Sequence, residues 1–195
     1  MFITDNVYAV EASKGSYVYA LRTKDGITLI DTSFGGRGEK IVEELEKAKL
    51  NNVTKILLTH HDVDHIGNAA LLQEKYGCDV YISELDMPYC LGTKKREGLK
   101  RLIGFLAHPK VPEHIAPLPQ DNIGEIRIIP SPGHTPGHTS FLFDNCLFAG
   151  DSPKPHPPIM TWNVREALES IKGMNNLKFT WVCPAHGNPV KVSKI

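Results

Sequence analysis

Four short clusters of histidine and aspartate residues, each preceded by an apolar run typical of a β-strand, constrain this chain more than any other feature. The clusters read THHDVDH, PGHTPGH, AGD and PAHG, at residues 59–65, 132–138, 149–151 and 184–187. Strand ends bring residues that are distant in sequence to one edge of a sheet. A loop crowded with histidine and aspartate is unstable unless a cation compensates the carboxylates. The pattern therefore predicts a metal site.

The bulk properties exclude several classes of function. The chain has 195 residues, and we expect residues 1–195 to form a single domain with a full core. Its 22 basic and 22 acidic residues give zero net charge, which favours neither nucleic acid nor an anionic membrane as a partner. We see no secretory signal and no apolar run near the roughly 18 residues of a membrane span. The four cysteines are scattered and form no CxxC pair, so we expect a cytoplasmic protein.

The order of predicted elements favours an α/β protein with two sheets. Hairpin spacing marks the opening strands, whereas the middle and C-terminal strands alternate with helices. Two sheets with helices outside each therefore fit better than one doubly wound parallel sheet. Predicted strands cover residues 7–10, 16–21, 27–31, 53–58, 79–82, 126–129, 140–143, 146–148 and 179–183. Predicted helices cover residues 39–50, 66–76 and 164–174.

The segment 84–122 differs from the rest because it is rich in lysine, arginine and proline. It contains a predicted helix at 94–107 with an apolar stripe and a basic side. One interpretation is a surface helix that packs on the domain. The other is a lid over the metal site, with some preference for anionic substrates.

The first cluster contains candidate ligands for two ions. His60 and Asp62 are two residues apart after a strand, and alternate residues of an extended segment face the same way, so both can reach one ion. Asp64 and His65 are adjacent where the next helix begins, and they can address a second ion. The same alternation turns His61 away from the metals. A helix N-cap is the alternative role for either aspartate taken alone.

The other clusters contribute one candidate ligand each. His134 lies in a tight Gly/Pro turn, which fixes the direction of a ligand. Asp151 follows a strand, and its two oxygens can bridge two cations. His186 also follows a strand. We interpret His138 as structural, and three further histidines without matching partners as surface residues: His108, His114 and His156.

Taken together, the motifs resemble those of the metallo-β-lactamase superfamily, whose first motif is His-x-His-x-Asp-His. The resemblance covers nearly the whole chain and implies a four-layer αββα sandwich with a binuclear site at the sheet edges. It also implies that Asp31 is a structural residue at a strand end. The implied first site is His60, Asp62 and His134; the implied second site is Asp64, His65 and His186; Asp151 bridges them.

Asp62 departs from the pattern, because most relatives have histidine there. Two divalent ions bring four positive charges, which three aspartates and a bridging hydroxide would neutralise. The site should then be a weaker Lewis acid than one with histidine at this position. We expect two divalent metal ions, with zinc first; iron or manganese are alternatives because an oxygen donor favours harder ions.

The resemblance implies a metal-dependent hydrolase of the glyoxalase II or lactonase type. A metal-bridging hydroxide would attack a small ester, thioester or lactone, and Asp64 would accept or orient the proton of the water as the catalytic residue. The alternative is an iron-dependent oxidoreductase similar to the flavodiiron or persulfide-dioxygenase branches, which Asp62 favours. A metal-stabilised interaction module without catalysis is a third alternative. The expected partner is a small-molecule substrate. These motifs encode neither the identity of that substrate nor the oligomeric state of the protein.

Overall fold

The computed structural model describes residues 1–95, 109–152 and 161–192, and the first of its two sheets comes from the N-terminal half. Its six strands are consecutive along the chain and across the sheet. The first three run antiparallel to one another, and the last four run parallel. The strands are β1 (Val7–Val10), β2 (Val18–Thr23), β3 (Gly26–Ile30), β4 (Val53–Leu57), β5 (Asp79–Ile82) and β6 (Ile115–Pro117).

The second sheet is built from the C-terminal half and has the order β12-β11-β10-β9-β8-β7. Only β10 and β11 are parallel, and the other neighbours are antiparallel. Its strands are β7 (Asn122–Ile123), β8 (Ile126–Pro130), β9 (Thr139–Phe143), β10 (Cys146–Gly150), β11 (Trp181–Pro184) and β12 (Val190–Lys191).

The helices cover the outer faces of the two sheets. In the described residues they are α1 (Gly38–Lys47), α2 (Val63–Ile66), α3 (Ala69–Tyr76), α4 (Met87–Cys90) and α5 (Val164–Met174), with a short 3-10 helix at Glu11–Ser13. An apolar stripe on α1 and Leu72 of α3 pack on the first sheet. Ile171 and Met174 of α5 pack on the second. No helix in the described part of the chain is long and apolar enough to cross a membrane.

A third apolar cluster lies between the sheets. It contains Tyr19 and Leu57 from the first sheet and Phe141 and Phe148 from the second, all of them buried. With helices outside and two sheets packed face to face, the architecture is the predicted αββα sandwich.

The helix predicted at 66–76 is wrong at its start. Residues 63–66 form the separate helix α2, and α3 begins only at Ala69. The interruption is tertiary in origin: the N–H of Gly67 donates to the carbonyl of Ser33 at 3.1 Å, and a Cβ on Gly67 would lie 2.3 Å from the nitrogen of Gly35. The predicted stop at Gly77 is present, in the left-handed conformation.

The segment 84–122 is described only at its two ends. Residues 84–95 contain α4, and residues 109–122 contain β6, which adds a parallel edge strand to the first sheet. Most of the helix predicted at 94–107 lies outside the described residues. The lid interpretation and the single-domain boundary at 1–195 therefore stay predictions.

Candidate metal centre

The seven predicted ligands converge at one edge of the sandwich. Four of them follow β4 of the first sheet, His60, Asp62, Asp64 and His65; three come from the second sheet, His134 before β9, Asp151 after β10 and His186 after β11. The structure therefore brings together residues that are up to 126 positions apart in sequence.

Three side chains form the first candidate site. Nε2 of His134 lies 3.0 Å from Oδ2 of Asp62, and Nε2 of His60 lies 3.4 Å from the same oxygen. All three residues are buried. The alternation predicted within the first cluster is present, since His60 and Asp62 face one point and one oxygen of Asp62 is shared by both imidazoles.

Three other side chains form the second candidate site. Oδ2 of Asp64 lies 3.1 Å from Nε2 of His186 and 3.5 Å from Nε2 of His65. His65 is fully buried, whereas the side chain of His186 is 44% exposed. Nδ1 of His186 is tied to the carbonyl oxygen of Gly15 at 2.6 Å, so this ring is fixed although it lies at the surface.

Asp151 lies between the two sites and addresses each with a different oxygen. Oδ2 is 3.4 Å from Nε2 of His134 in the first site. Oδ1 is 3.2 Å from Nε2 of His65 and 3.3 Å from Nε2 of His186 in the second. A carboxylate placed in this way has the geometry that a bridging ligand needs.

The donor atoms fit cations. Ligand atoms of His60, Asp62 and His134 lie within 4.8 Å of one another, and so do those of Asp64, His65 and His186. Nε2 of His60, Nε2 of His65 and Oδ1 of Asp151 are buried, and none of them makes a hydrogen bond within the described residues. Buried polar atoms without such partners are costly, and a shared cation would satisfy them.

The carboxylates are held in the form that binds cations. Burial alone would raise the pKa of Asp151, but the charge of His65 and the close imidazole of His186 outweigh it and hold that pKa well below its usual range. For Asp64, burial again acts to raise the pKa, but the hydrogen bond from His186 outweighs it and the pKa is lowered. Both groups are therefore ionised at neutral pH.

A buried carboxylate outside the cluster supports the second site. Asp31 accepts hydrogen bonds from the backbone N–H and the hydroxyl of Thr59, at 2.7 and 2.8 Å, and lies 2.8 Å from Nδ1 of His65. Nε2 of His65 thus points at the ligand cluster while Nδ1 is held from behind. This contact gives the structural role expected for Asp31 a specific form.

His138 supports Asp151 through the backbone. The N–H of Asp151 donates to Nε2 of His138 at 3.1 Å, and Nδ1 of His138 lies 2.9 Å from the hydroxyl of Ser131. Gly150 has φ +52°, and a Cβ there would lie 2.6 Å from Nε2 of His138. The ring therefore packs directly on the backbone that carries the carboxylate of Asp151.

His61 lies outside both sites, and its main partner is a residue that sequence reasoning missed. Nδ1 of His61 is 2.8 Å from Oδ2 of Asp86, which is fully buried. The ring stacks on Tyr89, with centroids 4.5 Å apart. No local motif marks Asp86, because its partners are remote in sequence.

His114 is exposed, as expected of a surface residue; His108 and His156 lie outside the described residues. On the His134 side, the N–H of Trp162 donates to the carbonyl of His134 at 3.2 Å, so a partly exposed tryptophan borders the first site.

Known proteins share the sequence pattern. A family model described as the metallo-beta-lactamase superfamily matches residues 14–186. The probable metallo-hydrolase YybB of Bacillus subtilis (strain 168) is 25% identical over 189 residues, covering 89% of this chain and 81% of that protein. A hydroxyacylglutathione hydrolase of Shewanella baltica (strain OS195) is 29% identical over 147 residues, covering 75% of this chain and 50% of the hydrolase. The chain thus matches about half the length of that enzyme.

Solved structures share the fold. TTHA1623, solved in a di-iron-bound form, has a TM-score of 0.75 and 29% identity, covering 90% of this chain and 89% of that chain. BJP-1, a subclass B3 metallo-beta-lactamase of Bradyrhizobium japonicum, has a TM-score of 0.76 and 22% identity, covering 95% of this chain and 76% of that chain. At that lower identity the likeness concerns the fold alone.

Proposed function

We propose that this chain hydrolyses a small ester, thioester or lactone by a binuclear mechanism. The chain belongs to the metallo-β-lactamase superfamily and is a metal-dependent hydrolase. The observation that carries the proposal is the position of Asp151. One of its oxygens faces His134, and the other faces His65 and His186. A carboxylate whose two oxygens face separate groups of candidate ligands is suited to bridge two ions.

In this proposal His60, Asp62 and His134 would hold one ion, Asp64, His65 and His186 would hold the other, and Asp151 would contribute an oxygen to each. When bound, such a pair of divalent cations would lower the pKa of water towards neutral and polarise the substrate carbonyl. The chain's own contribution is to fix seven donors on rigid strand ends before substrate arrives.

Asp64 is the proposed catalytic residue. Its side chain is 18% exposed, more than that of Asp62 or Asp151, so it reaches the open side of the cluster. Its low pKa keeps it ionised, and it can therefore accept or orient a proton of the attacking water. The exposed edge of His186 marks the same side as the entrance for substrate.

The substrate class is supported by the relatives. The hydroxyacylglutathione hydrolase match is to an enzyme whose name denotes thioester hydrolysis, although the alignment spans half of that protein. The balanced charge of this chain still favours a small-molecule substrate over nucleic acid. The scattered cysteines remain the basis for placing the activity in a reducing cytosol.

We expect zinc as the bound metal, with iron or manganese as alternatives. Asp62 adds an oxygen donor where an imidazole would favour zinc. TTHA1623, which resembles this chain at 29% identity, has been solved with two irons. These two observations also favour the iron-dependent oxidoreductase as the second candidate function.

Metal analysis separates the two candidates. The protein is purified without added metal, its metals are counted per chain, and it is assayed on a thioester, lactone and ester panel and for oxygen consumption. We expect about two divalent ions per chain and hydrolysis of at least one panel member. In Asp151→Ala both ions and the hydrolysis should be lost.

The matched control is Asp144→Asn, at the opposite end of β10, where the carboxylate accepts a hydrogen bond from the Thr4 hydroxyl at 2.6 Å. This variant should keep metal content and activity. One ion per chain in the wild type, or Asp151→Ala that retains both, would contradict the binuclear proposal. Oxygen consumption with iron and no hydrolysis would select the second candidate.

A further inference from the structure

Asp86 is a buried carboxylate that does not cap the helix it precedes. It occupies the residue before α4, the usual place of a capping aspartate, yet its carboxylate makes no capping hydrogen bond. It is fully buried. A buried charge is tolerated only when other groups pair with it, so the partners of this carboxylate define what it does.

Those partners come from two separate loops. Oδ2 accepts the backbone N–H of His61 at 3.1 Å, lies 2.8 Å from Nδ1 of His61, and accepts the hydroxyl of Thr135 at 2.7 Å. Oδ1 accepts the N–H of Gly137 at 2.7 Å. A Cβ on Gly137 would lie 2.7 Å from Oδ1, so the loop approaches as closely as its backbone allows.

These loops carry every candidate ligand of the first site except the proposed bridging residue Asp151. His61 stands between His60 and Asp62, and Thr135 follows His134 directly. The first loop comes from the first sheet and the second loop from the second sheet. Asp86 therefore fastens the two halves of the first site to each other from behind, without touching a ligand itself.

The ring of His61 extends this support to Asp62. Its Nδ1 faces Asp86, and its Nε2 lies 3.8 Å from Oδ1 of Asp62. The other oxygen of Asp62 faces His134 and His60. Stacking on Tyr89 fixes the plane of the ring. His61 thus stands between two carboxylates and limits how Asp62 can rotate.

We infer that Asp86 and His61 are positioning residues that hold His60, Asp62 and His134 in register and thereby set the metal affinity of the first site. The inference rests on the proposed binuclear centre. Partners behind metal ligands typically change metal affinity by about 10- to 100-fold when they are replaced. The second site has its own support in Asp31 and should respond little.

Stepwise zinc binding tests the inference. The full chain is stripped of metal and titrated with Zn²⁺ against a chromophoric chelator. In Asp86→Asn, an NH₂ group replaces one carboxylate oxygen. This group is a donor that faces other donors, so the hydrogen bonds to that oxygen are lost. We expect one of the two zinc affinities to fall about 10- to 100-fold and the other to keep its wild-type value. Asp144→Asn should leave both affinities unchanged.

Double variants identify the affected site. Asp86→Asn added to Asp62→Ala should cause no further loss, because the first site is already impaired. Asp86→Asn added to His186→Ala should add its full effect, since the changes then concern different sites. If Asp86→Asn does not fold, His61→Phe keeps the stacking on Tyr89, removes both ring nitrogens and should show the same selective loss.

Equal weakening of both sites, together with a lower melting temperature of the zinc-free protein, would reduce the pair to general structural support and overturn the inference. Wild-type affinities in both Asp86→Asn and His61→Phe would overturn it as well. A wild-type protein that binds only one zinc would instead contradict the proposed binuclear centre, before any variant is considered.

Discussion

The carboxylate of Asp31 and the imidazole of His65 lie 2.8 Å apart, on the side of the ring opposite to the candidate metal ligands. Asp31 also has φ +59°, a conformation that aspartate and asparagine tolerate better than most residues. The contact fixes which nitrogen of His65 is presented to the candidate ligands.

Asp31→Asn should therefore preserve the backbone while weakening the second site. We expect the affinity of that site to fall about 10- to 100-fold, and the free energy of unfolding to drop by about 1–3 kcal/mol as buried donors lose their acceptor. Stepwise zinc titration and urea unfolding measure the two effects. Asp144→Asn is again the matched control, because Asp144 also has a positive φ, +49°. Unchanged zinc binding in Asp31→Asn would show that His65 is held by other contacts.

Asp62→His tests the departure from the family pattern. The change adds one positive charge to the cluster and replaces an oxygen donor with imidazole, so metal preference should shift towards zinc. If the protein is a hydrolase, activity with zinc should be kept or should rise. If it is an iron oxidoreductase, iron content and oxygen consumption should both fall. Competition between Zn²⁺ and Fe²⁺ for the wild-type protein and for Asp62→His shows whether Asp62 controls which metal is bound.

The turn before His134 depends on a glycine. Gly133 has φ +128°, and a Cβ there would lie 2.2 Å from the backbone nitrogen of Ala167 in α5. Gly133→Ala should cost about 3 kcal/mol or more and displace His134, which urea unfolding and metal content would report. Gly173→Ala in the same helix meets no atom within 4 Å and should instead gain about 0.5 kcal/mol. Equal effects of the two changes would argue against a fixed turn.

His138 should make the fold sensitive to acid. Burial first, and then the charge of His134, lower the pKa of His138 from 6.5 to about 3. The unfolded chain binds this proton below pH 6.5 while the folded chain does not, so stability is lost as pH falls from 6.5 towards 3. One such group contributes up to about 1.4 kcal/mol per pH unit.

His138→Gln should remove this contribution. In chelator-treated protein, the free energy of unfolding should fall less steeply below pH 6.5 than in the wild type. Above that pH the two slopes should coincide, which serves as an internal control. Identical slopes over the whole range would show that His138 does not resist protonation in the folded state.

Elements with a strong local pattern were predictable from sequence. The strands β1 and β5 and the helix α5 occupy the predicted residues 7–10, 79–82 and 164–174. The break between α2 and α3 was not predictable, because it depends on the close approach of Gly67 to Gly35, a contact between distant loops. The two-residue strands β7 and β12 exist only through pairing with longer neighbours, so they carry no period of their own.

The candidate site divides in the same way. The seven predicted ligands stand in short motifs, and the structure gathers all of them. Asp86 has no motif, since its hydrogen-bond partners lie 25, 49 and 51 positions away. A residue whose role is to join two loops becomes visible only when the loops are folded against each other.

Each proposed site takes two ligands from the segment after β4 and one from the second sheet, while Asp151 would add a donor to both from that second sheet. Neither half of the chain carries the full ligand set of either proposed site, so complete sites should form only after the sheets have docked. Bound ions would then cross-link the two sheets and oppose their separation. The lifetime of the loaded protein should therefore be governed by how slowly metal escapes, and not by the depth of its apolar core.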